Sequence, residues 1–222
     1  MQVLVIAHRS IAHEFGYLEP WLASMTLTRH AREDGPPPAD LLAGADLLLV
    51  MGSPGSVAEG HCDQANTAEI ATVRDWVAQD RPYLGLCFGA QVLACALGGK
   101  VTRMPQTYRA YRELALTAQA PPSLQGPWVI WHEDAITAPA HSTVLAQLPH
   151  ADLAFHAGRA WGLQPHVELS STSLERMASA LNTSPADTQP LVEGLRKNEQ
   201  GHNSPGTRLT ALLEQFSRTA LA

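Results

Sequence analysis

Short segments that are almost entirely apolar alternate along the chain with longer segments whose apolar residues recur at helical spacing. A strand buried on both faces reads as a continuous apolar run, and such strands separated by helices are typical of a parallel sheet. The pattern therefore predicts an α/β fold, a three-layer sandwich with a mostly parallel central sheet. The segments predicted as strands are residues 3–7, 46–51, 83–86, 128–131 and 160–164.

The segments between and after these strands are predicted to be helices or surface additions. Glycines at 98 and 99 are predicted to end a helix that spans residues 88–97. Residues 100–154 are predicted to form antiparallel or irregular additions, and residues 182–206, rich in Asn, Pro, Ser and Gly, a surface connection. The predicted helices are residues 65–79, residues 88–97 and a terminal helix that includes residues 209–216.

Composition and charge exclude several classes of function. The chain has 222 residues, 45% of them hydrophobic, so residues 1–222 are predicted to form a single domain. The formal net charge is −6 and the 15 lysines and arginines form no basic stripe, so nucleic acid is not expected as a partner. No apolar run reaches the roughly 18 residues that span a bilayer, and residues 1–7 have neither the basic segment nor the cleavage site that are typical of a signal peptide. We therefore expect a cytoplasmic protein without a membrane partner.

The cysteines form an odd set without the spacing of a disulfide framework: Cys62, Cys87 and Cys95. This usage fits a reducing compartment, in which one thiol can serve chemistry. Residues 61–63, His-Cys-Asp, are the only compact ligand-like cluster, and their spacing matches no closed metal site. Neither a metal nor another cofactor is expected.

A Gly-x-Cys-x-Gly motif spans residues 85–89, where a predicted strand runs into a predicted helix. This is the pattern of a nucleophile elbow with sulfur in place of oxygen. A sharp turn exposes the sulfur of Cys87, and the helix N-terminus favours the thiolate over the thiol. The alternative for this motif alone is a small buried residue in a strand-to-helix turn.

A second motif places His166 and Glu168 two residues apart at the end of a predicted strand. On an extended chain, side chains with this spacing point to the same side. A thiolate nucleophile needs a base, and the imidazole needs a partner that fixes its tautomer and stabilises its charged form. His166 and Glu168 can supply both, which makes Cys87 a stronger candidate nucleophile.

A third motif is the turn Gly-Ser-Pro-Gly, which begins at Gly52 directly after a predicted strand. Backbone N–H groups in such a turn can point at a developing oxyanion, together with the N–H that follows the nucleophile. The candidate oxyanion hole therefore comprises Gly52, Ser53 and Phe88. An ordinary Gly-Pro loop is the alternative.

These three motifs, in this order and spacing, resemble the class I glutamine amidotransferase family, and the resemblance covers most of the chain. It implies a flavodoxin-like fold, with Cys87 as nucleophile, His166 as acid–base group and Glu168 as the residue that orients the imidazole. In the family, the cysteine forms a thioester with the side chain of glutamine, and the released ammonia passes to a synthetase domain or subunit.

The resemblance also implies a substrate pocket. Gln91 matches a position that helps to hold the glutamine. The segment Trp-His-Glu-Asp, from Trp131 to Asp134, resembles a His-x-Asp segment of the family that borders the pocket. The expected substrate is L-glutamine or another amide.

The departures from the family pattern bear on the substrate. Pro165 and Val167 stand where the family motif has Phe and Pro, so an altered loop shape is expected. Ser53 replaces the second glycine of a Gly-Gly-Pro turn, and a positive φ there would cost about 1 kcal/mol or more. A Tyr-Arg-Ala-Tyr segment replaces Glu-Ile-Gly, so Tyr108 and Arg109 are candidates for reading a different amide.

Three functions stay open from the sequence. The first is a glutamine amidotransferase subunit that supplies ammonia to a separate synthetase, because no phosphate-binding Gly-x-x-x-x-Gly-Lys motif occurs in the chain. The second is a stand-alone hydrolase or transferase of the same fold, acting on a γ-glutamyl amide or a specialised metabolite. The third is a regulatory or structural subunit with a degenerate site.

Overall fold

The computed structural model of the chain describes residues 1–59 and 65–221, so Cys62 and the cluster at residues 61–63 lie outside the described residues. The strands are β1 (Gln2–Ala7), β2 (Thr26–Ala31), β3 (Leu47–Val50), β4 (Tyr83–Leu86), β5 (Lys100–Glu113), β6 (Ala115–Leu116), β7 (Pro127–Thr137), β8 (Thr143–Leu148), β9 (Ala151–Ala157) and β10 (Ala160–Leu163). The α-helices are α1 (Glu19–Leu22), α2 (Ala39–Gly44), α3 (Ala65–Ala78), α4 (Phe88–Ala96), α5 (Ser171–Ala180), α6 (Pro185–Asn198) and α7 (Pro205–Phe216).

The central sheet has eight strands in the order β2-β1-β3-β4-β10-β9-β8-β6. The five strands from β2 to β10 in this order are parallel to one another. The other three pair antiparallel at one edge. The strands β5 and β7 form a separate antiparallel pair.

The central strands are continuous apolar runs because both faces of the sheet are covered. Along β1, Val3 and Val5 belong to the core that includes residues of α1 and α7, whereas Leu4 and Ile6 belong to the core that includes residues of α3 and α4. Alternate residues of a strand point to opposite faces, so each layer of helices receives every second side chain. The predicted three-layer α/β sandwich with a mostly parallel sheet is confirmed.

Two local predictions were wrong. Residues 128–131 are not part of the central sheet but lie in β7, which pairs with β5. Residues 182–206 are not only a connection, because they contain α6, which begins after the capping side chain of Ser184. The polar composition of this segment obscured a buried face that packs toward β5 and α5: Thr188, Leu191, Val192 and Leu195.

The edge strand β2 was not recognised from the sequence. Its residues are polar or only partly buried, since Thr26, Thr28 and Arg29 are exposed and only one neighbour, β1, pairs with it. Its apolar signal is therefore weak. In the described part of the chain, no helix is both long enough and apolar enough to cross a bilayer.

Candidate active site

The candidate nucleophile lies at a strained turn between β4 and α4. Cys87 has φ 50° and ψ −103°, a conformation that non-glycine residues rarely adopt. Its N–H donates a hydrogen bond of 2.8 Å to the carbonyl of Leu163 at the end of β10. The turn is thus held by a neighbouring strand, and the sulfur stands at the carboxyl edge of the parallel strands.

The two glycines of the Gly-x-Cys-x-Gly motif permit close packing of α4 against the sheet. A Cβ atom on Gly85 would lie 2.6 Å from the backbone of Gly89, and a Cβ atom on Gly89 would lie 2.2 Å from the carbonyl oxygen of Val50. Tyr83 donates a hydrogen bond of 2.8 Å from its hydroxyl to the Gly89 carbonyl. No larger side chain fits at either position while the elbow keeps its shape.

The imidazole of His166 lies between the sulfur and a carboxylate. Its backbone N–H donates to the carbonyl of Val129 at 2.7 Å, which fixes the residue beside β7. Its Nδ1 is 2.7 Å from Oε1 of Glu168, and the ring is within hydrogen-bond reach of Cys87. Since the carboxylate occupies Nδ1, Nε2 is left for the sulfur.

The electrostatic environment favours the charged form of this imidazole. Burial by itself lowers the pKa of His166, but the neighbouring Cys87 and Glu168 raise it well above its usual 6.5. Glu168 is buried, and it lies behind His166 rather than on the cavity surface. A protonated His166 can give a proton to a leaving nitrogen.

The sulfur of Cys87 has two further polar neighbours. The carbonyl oxygen of Trp131 lies 3.6 Å from Sγ, and the side-chain nitrogen of Gln164 lies 3.5 Å from it. Gln164 was not predicted to be a neighbour of the nucleophile. The signal that marks it is its position at the end of a buried strand, next to the candidate base.

The glycine-containing turn after β3 borders the nucleophile. A Cβ atom on Gly52 would lie 3.1 Å from Cε1 of His166 and 3.7 Å from Cβ of Cys87. Among the described residues, the non-glycine residues with positive φ are Asp80, Cys87 and Asn182. Ser53 therefore does not have a positive φ. The strain considered for a serine at position 53 therefore does not arise.

These groups surround one cavity of about 230 Å³. Most of the residues singled out from the sequence line it, and Glu168 and Tyr108 do not. An apolar part of the wall was not predicted, because its residues Ile11, Met177 and Leu181 come from distant segments of the chain. The residues from the sequence analysis that line the cavity are Gly52, Ser53, Cys87, Phe88, Gln91, Arg109, Trp131, Asp134 and His166.

The two candidates on β5 point in different directions. Arg109 pairs with Trp131 across the β5–β7 ladder, and its guanidinium carbon lies 5.2 Å from the centre of the indole ring. Tyr108 instead contacts the rings of His132 and His150, with centroid distances of 5.9 and 4.5 Å. Alternation along the strand explains the difference, and only the arginine reaches the cavity.

Asp134 is occupied by hydrogen bonds within the protein. Its buried carboxylate accepts hydrogen bonds from the hydroxyl of Ser56 at 2.8 and 2.9 Å, from the N–H of Val57 at 2.7 Å and from the N–H of Ala58 at 3.2 Å. It also lies 3.7 Å from Arg103. The carboxylate therefore anchors the far end of the turn that begins at Gly52.

His132 is a neutral neighbour of the site. Its Nδ1 lies 2.7 Å from the carbonyl oxygen of Asp134, so this nitrogen must carry the proton. Burial lowers its pKa to about 4, although the hydrogen bond to Asp134 opposes this shift. Its Nε2 lies 3.5 Å from Nε2 of His150. Within residues 1–59 and 65–221, no group of three His, Cys, Asp or Glu side chains is placed to hold a metal ion.

A three-layer α/β fold with Cys, His and Glu side chains at the carboxyl edge of its parallel strands defines the class of a cysteine-dependent hydrolase. The family model described as "Glutamine amidotransferase class-I" matches residues 8–177. The chain belongs to this family. This membership confirms the family, the fold and the enzyme class, a glutamine amidotransferase, that were expected from the sequence.

Among the similar sequences are GMP synthases and one short relative. The glutamine-hydrolysing GMP synthase of Thermus thermophilus is 39% identical over 100 residues, which cover 41% of this chain and 20% of that protein. The chain thus matches about a fifth of the length of that relative. The putative glutamine amidotransferase-like protein YfeJ of Salmonella typhimurium is 25% identical over 209 residues, which cover 85% of this chain and 84% of that protein.

Solved structures share the fold. A glutamine amidotransferase from Thermotoga maritima superposes with a TM-score of 0.82 at 20% identity, covering 97% of both chains. The glutaminase domain of a Trypanosoma brucei CTPS with bound acivicin superposes with a TM-score of 0.59 at 14% identity, covering 83% of this chain and 95% of that domain. At these identities, the likeness establishes the architecture.

Proposed function

We propose that the chain hydrolyses the side-chain amide of L-glutamine, with Cys87 as nucleophile, His166 as acid–base group and Glu168 as the residue that orients the imidazole. The observation that carries this proposal is the position of His166, which reaches both the sulfur and the Glu168 carboxylate at the wall of the cavity. Nucleophile, base and orienter in this relation are what thiol-dependent acyl transfer requires.

In the proposed reaction, the thiol of Cys87 gives its proton to His166, and the sulfur attacks the amide carbon. The C–N bond breaks, and His166 gives a proton to the nitrogen, which leaves as ammonia. A water molecule then loses a proton to His166 and attacks the thioester. The C–S bond breaks, glutamate leaves, and His166 returns its proton to the sulfur, which restores the thiol. The raised pKa of His166 supports its role as the acid of the first step.

The oxygen of the attacked carbonyl becomes negative in this reaction. We assign its stabilisation to the N–H groups of Gly52 and Ser53 and to the N–H of Phe88, the first residue of α4. Gly52 lies against both His166 and Cys87, and the N-terminus of α4 adds its partial positive charge at the same edge.

The α-carboxylate and the α-ammonium group of glutamine match polar side chains on the rest of the cavity wall. Arg109 lines the cavity with a guanidinium whose Nη1 lies 3.5 Å from the half-exposed Asp187, and we assign this guanidinium to the α-carboxylate. The side-chain oxygen of Gln91 has no described partner, and as an acceptor it suits the α-ammonium group. The guanidinium of Arg109 lies over the ring of Trp131.

We further propose that the released ammonia is used by a separate synthetase. The support comes from the relatives, which include glutamine-hydrolysing GMP synthases in which the matched region is a minor part of the protein. In this proposal, the synthetase binds the molecule that accepts the ammonia. Under this proposal the isolated chain binds L-glutamine but hydrolyses it slowly, and the partner raises kcat.

A stand-alone hydrolase is the second candidate, and the apolar wall of the cavity favours it. Ile11, Met177 and Leu181 offer a surface that the small polar substrate glutamine does not need. A γ-glutamyl amide with an apolar amine group would use both this wall and Arg109.

Ammonia or amine release by the purified chain tests these proposals. L-glutamine is compared with γ-glutamyl alkyl and aryl amides and with simple carboxamides, using Cys87→Ser as the inactive control. Faster release from a non-glutamine amide than from L-glutamine favours the stand-alone hydrolase. Arg109→Leu should raise KM about 10-fold or more with little change in kcat, since a charge-assisted hydrogen bond is lost. Arg112→Leu, an exposed arginine on the same strand, is the matched control.

The identity of the nucleophile is tested separately with the alkylating glutamine analogue 6-diazo-5-oxo-L-norleucine. Peptide mapping should find the label on Cys87. Cys95 serves as an internal control, because it is partly buried and burial raises its pKa. Label on Cys95 with Cys87 unmodified would contradict the assignment.

A further inference from the structure

A buried ion pair lies directly behind the candidate oxyanion hole. Arg32 follows β2 at the carboxyl edge of the sheet, and only 1% of its surface is exposed. Its Nε lies 2.7 Å from Oε2 of Glu69, and its Nη2 lies 3.0 Å from Oε1 of the same residue. Glu69 is on α3 and is 4% exposed. Burying two charges is costly, and an apolar pair would serve packing at least as well.

The guanidinium of Arg32 also donates hydrogen bonds to the backbone of the glycine-containing turn. Nη2 of Arg32 also donates to the carbonyl of Met51 at 3.2 Å, and Nη1 donates to the carbonyl of Gly52 at 3.4 Å. The guanidinium carbon lies 4.1 Å from the centre of the Phe88 ring. The same side chain therefore contacts both parts of the candidate oxyanion hole, the turn and the first residue of α4.

The hydrogen bonds from Arg32 determine the direction in which the N–H groups of the turn point. The described peptide bonds are all trans, and in a trans peptide the C=O and the following N–H point in opposite directions. Carbonyls of Met51 and Gly52 that point toward Arg32 direct the N–H groups of Gly52 and Ser53 away from it. Neither N–H donates a hydrogen bond within the described part of the chain. The turn borders Cys87 and His166, so these two donors are available to an anion in the cavity.

We propose that Arg32, held in place by Glu69, is a positioning residue that orients the oxyanion hole. It keeps two carbonyl oxygens directed away from the oxygen that becomes negative when Cys87 attacks, and so keeps two N–H groups directed toward it. Arg32 does not line the cavity and acts through the backbone. This inference rests on the proposed amide hydrolysis. Without the guanidinium, the turn can rotate a carbonyl oxygen toward the anion.

The chain contains a matched control for this arginine. Arg208 is 5% exposed, donates hydrogen bonds of 2.6 Å to the carbonyls of Asn203 and Pro127, and lies 4.4 Å from the centre of the Trp128 ring. It is therefore a buried arginine that binds two backbone carbonyls and covers an aromatic ring, as Arg32 does. It does not line the cavity, and neither carbonyl belongs to the candidate site.

The test compares the parent with Arg32→Met, with the double variant Arg32→Met and Glu69→Met, and with Arg208→Met. The single Arg32 variant leaves a buried carboxylate without its partner and should unfold more easily. The double variant removes both charges and should recover thermal stability. Steady-state kcat and KM for the amide substrate are measured for each, together with the affinity for glutamate γ-semialdehyde. This aldehyde adds to the thiol and places an anion-like oxygen in the hole.

We expect the double variant to lose kcat by about 10²-fold with KM within about 3-fold of the parent, because the lost interaction exists only in the transition state. Its affinity for the aldehyde should fall by a similar factor. Binding of L-glutamine to the Cys87→Ala form should be unchanged. Arg208→Met should reduce thermal stability and keep the parent's kcat.

Two results would overturn the inference. One is a double variant with the parent's stability, kcat and aldehyde affinity. The other is an equal loss of kcat in Arg208→Met, which would show that any buried arginine has this effect. If the parent protein releases ammonia from none of the amides, the proposed function is refuted. The role of Arg32 can still be tested in that case, because equal aldehyde affinities of the parent and the double variant would reject it.

Discussion

His132 should make the stability of the protein strongly dependent on pH. The folded chain keeps this ring neutral, because burial lowers its pKa from 6.5 to about 4. In the unfolded chain the ring takes up a proton as the pH falls below about 6.5. The unfolded state therefore binds more protons between these two values, so the free energy of unfolding decreases as the pH falls through this window.

The size of the effect follows from the difference between the two pKa values. Each pKa unit corresponds to about 1.4 kcal/mol, so the shift of His132 corresponds to roughly 3 kcal/mol. The loss begins near pH 6.5, grows down to about pH 4 and is constant below it. Against a typical total stability of about 5 to 15 kcal/mol, this is a measurable fraction.

The assay is urea unfolding of the parent and of His132→Asn at several pH values from 7 to 4. Asparagine does not titrate, and its side-chain nitrogen can replace the Nδ1–H that donates to the carbonyl of Asp134. The parent should lose about 3 kcal/mol more than the variant over this range. His202→Asn, which changes an exposed histidine, should follow the parent. A constant difference between the parent and His132→Asn from pH 7 to 4 would refute the reasoning.

Two further predictions concern the site itself. Glu168→Gln removes one of the groups that raise the pKa of His166, so the alkaline fall of kcat should move to lower pH, toward 6.5, with some turnover retained; a pH profile with an unmoved alkaline limb would speak against the pairing. Gly52→Ala places a methyl group 3.1 Å from Cε1 of His166 and should reduce kcat at least about 10-fold, whereas Gly44→Ala, where a Cβ atom meets nothing within 4 Å, should not. Equal kinetics of these two variants would contradict the position of the turn.

The sequence by itself determined the parts of the fold that depend on local patterns. The strand at residues 83–86 and the helix that begins at Phe88 were predicted with nearly their observed bounds, since a buried strand and a buried helix have distinct apolar periods. The motif around Cys87 was likewise readable, because a sharp strand-to-helix turn and close helix packing both require glycine at the flanking positions.

Only the tertiary structure decided which candidates meet at the cavity. Tyr108 and Arg109 are adjacent in the sequence, and the pairing of β5 with β7 determines that the arginine faces the cavity. Asp134 lines the cavity, and only the structure shows that its carboxylate also holds the turn through Ser56 and its neighbours. Such roles depend on the register between distant segments, which a local pattern does not contain.

The same reason explains why Arg32 and Glu69 were not recognised. Each is a charged residue in a segment whose local pattern suggests a solvent-exposed position, and a separation of 37 positions in the sequence hides their relation. Their burial follows from the meeting of β2, α3 and the turn after β3 at one edge of the sheet. A charged side chain becomes a buried positioning element only when the fold supplies its partners, and the fold is determined by contacts between segments far apart in the chain.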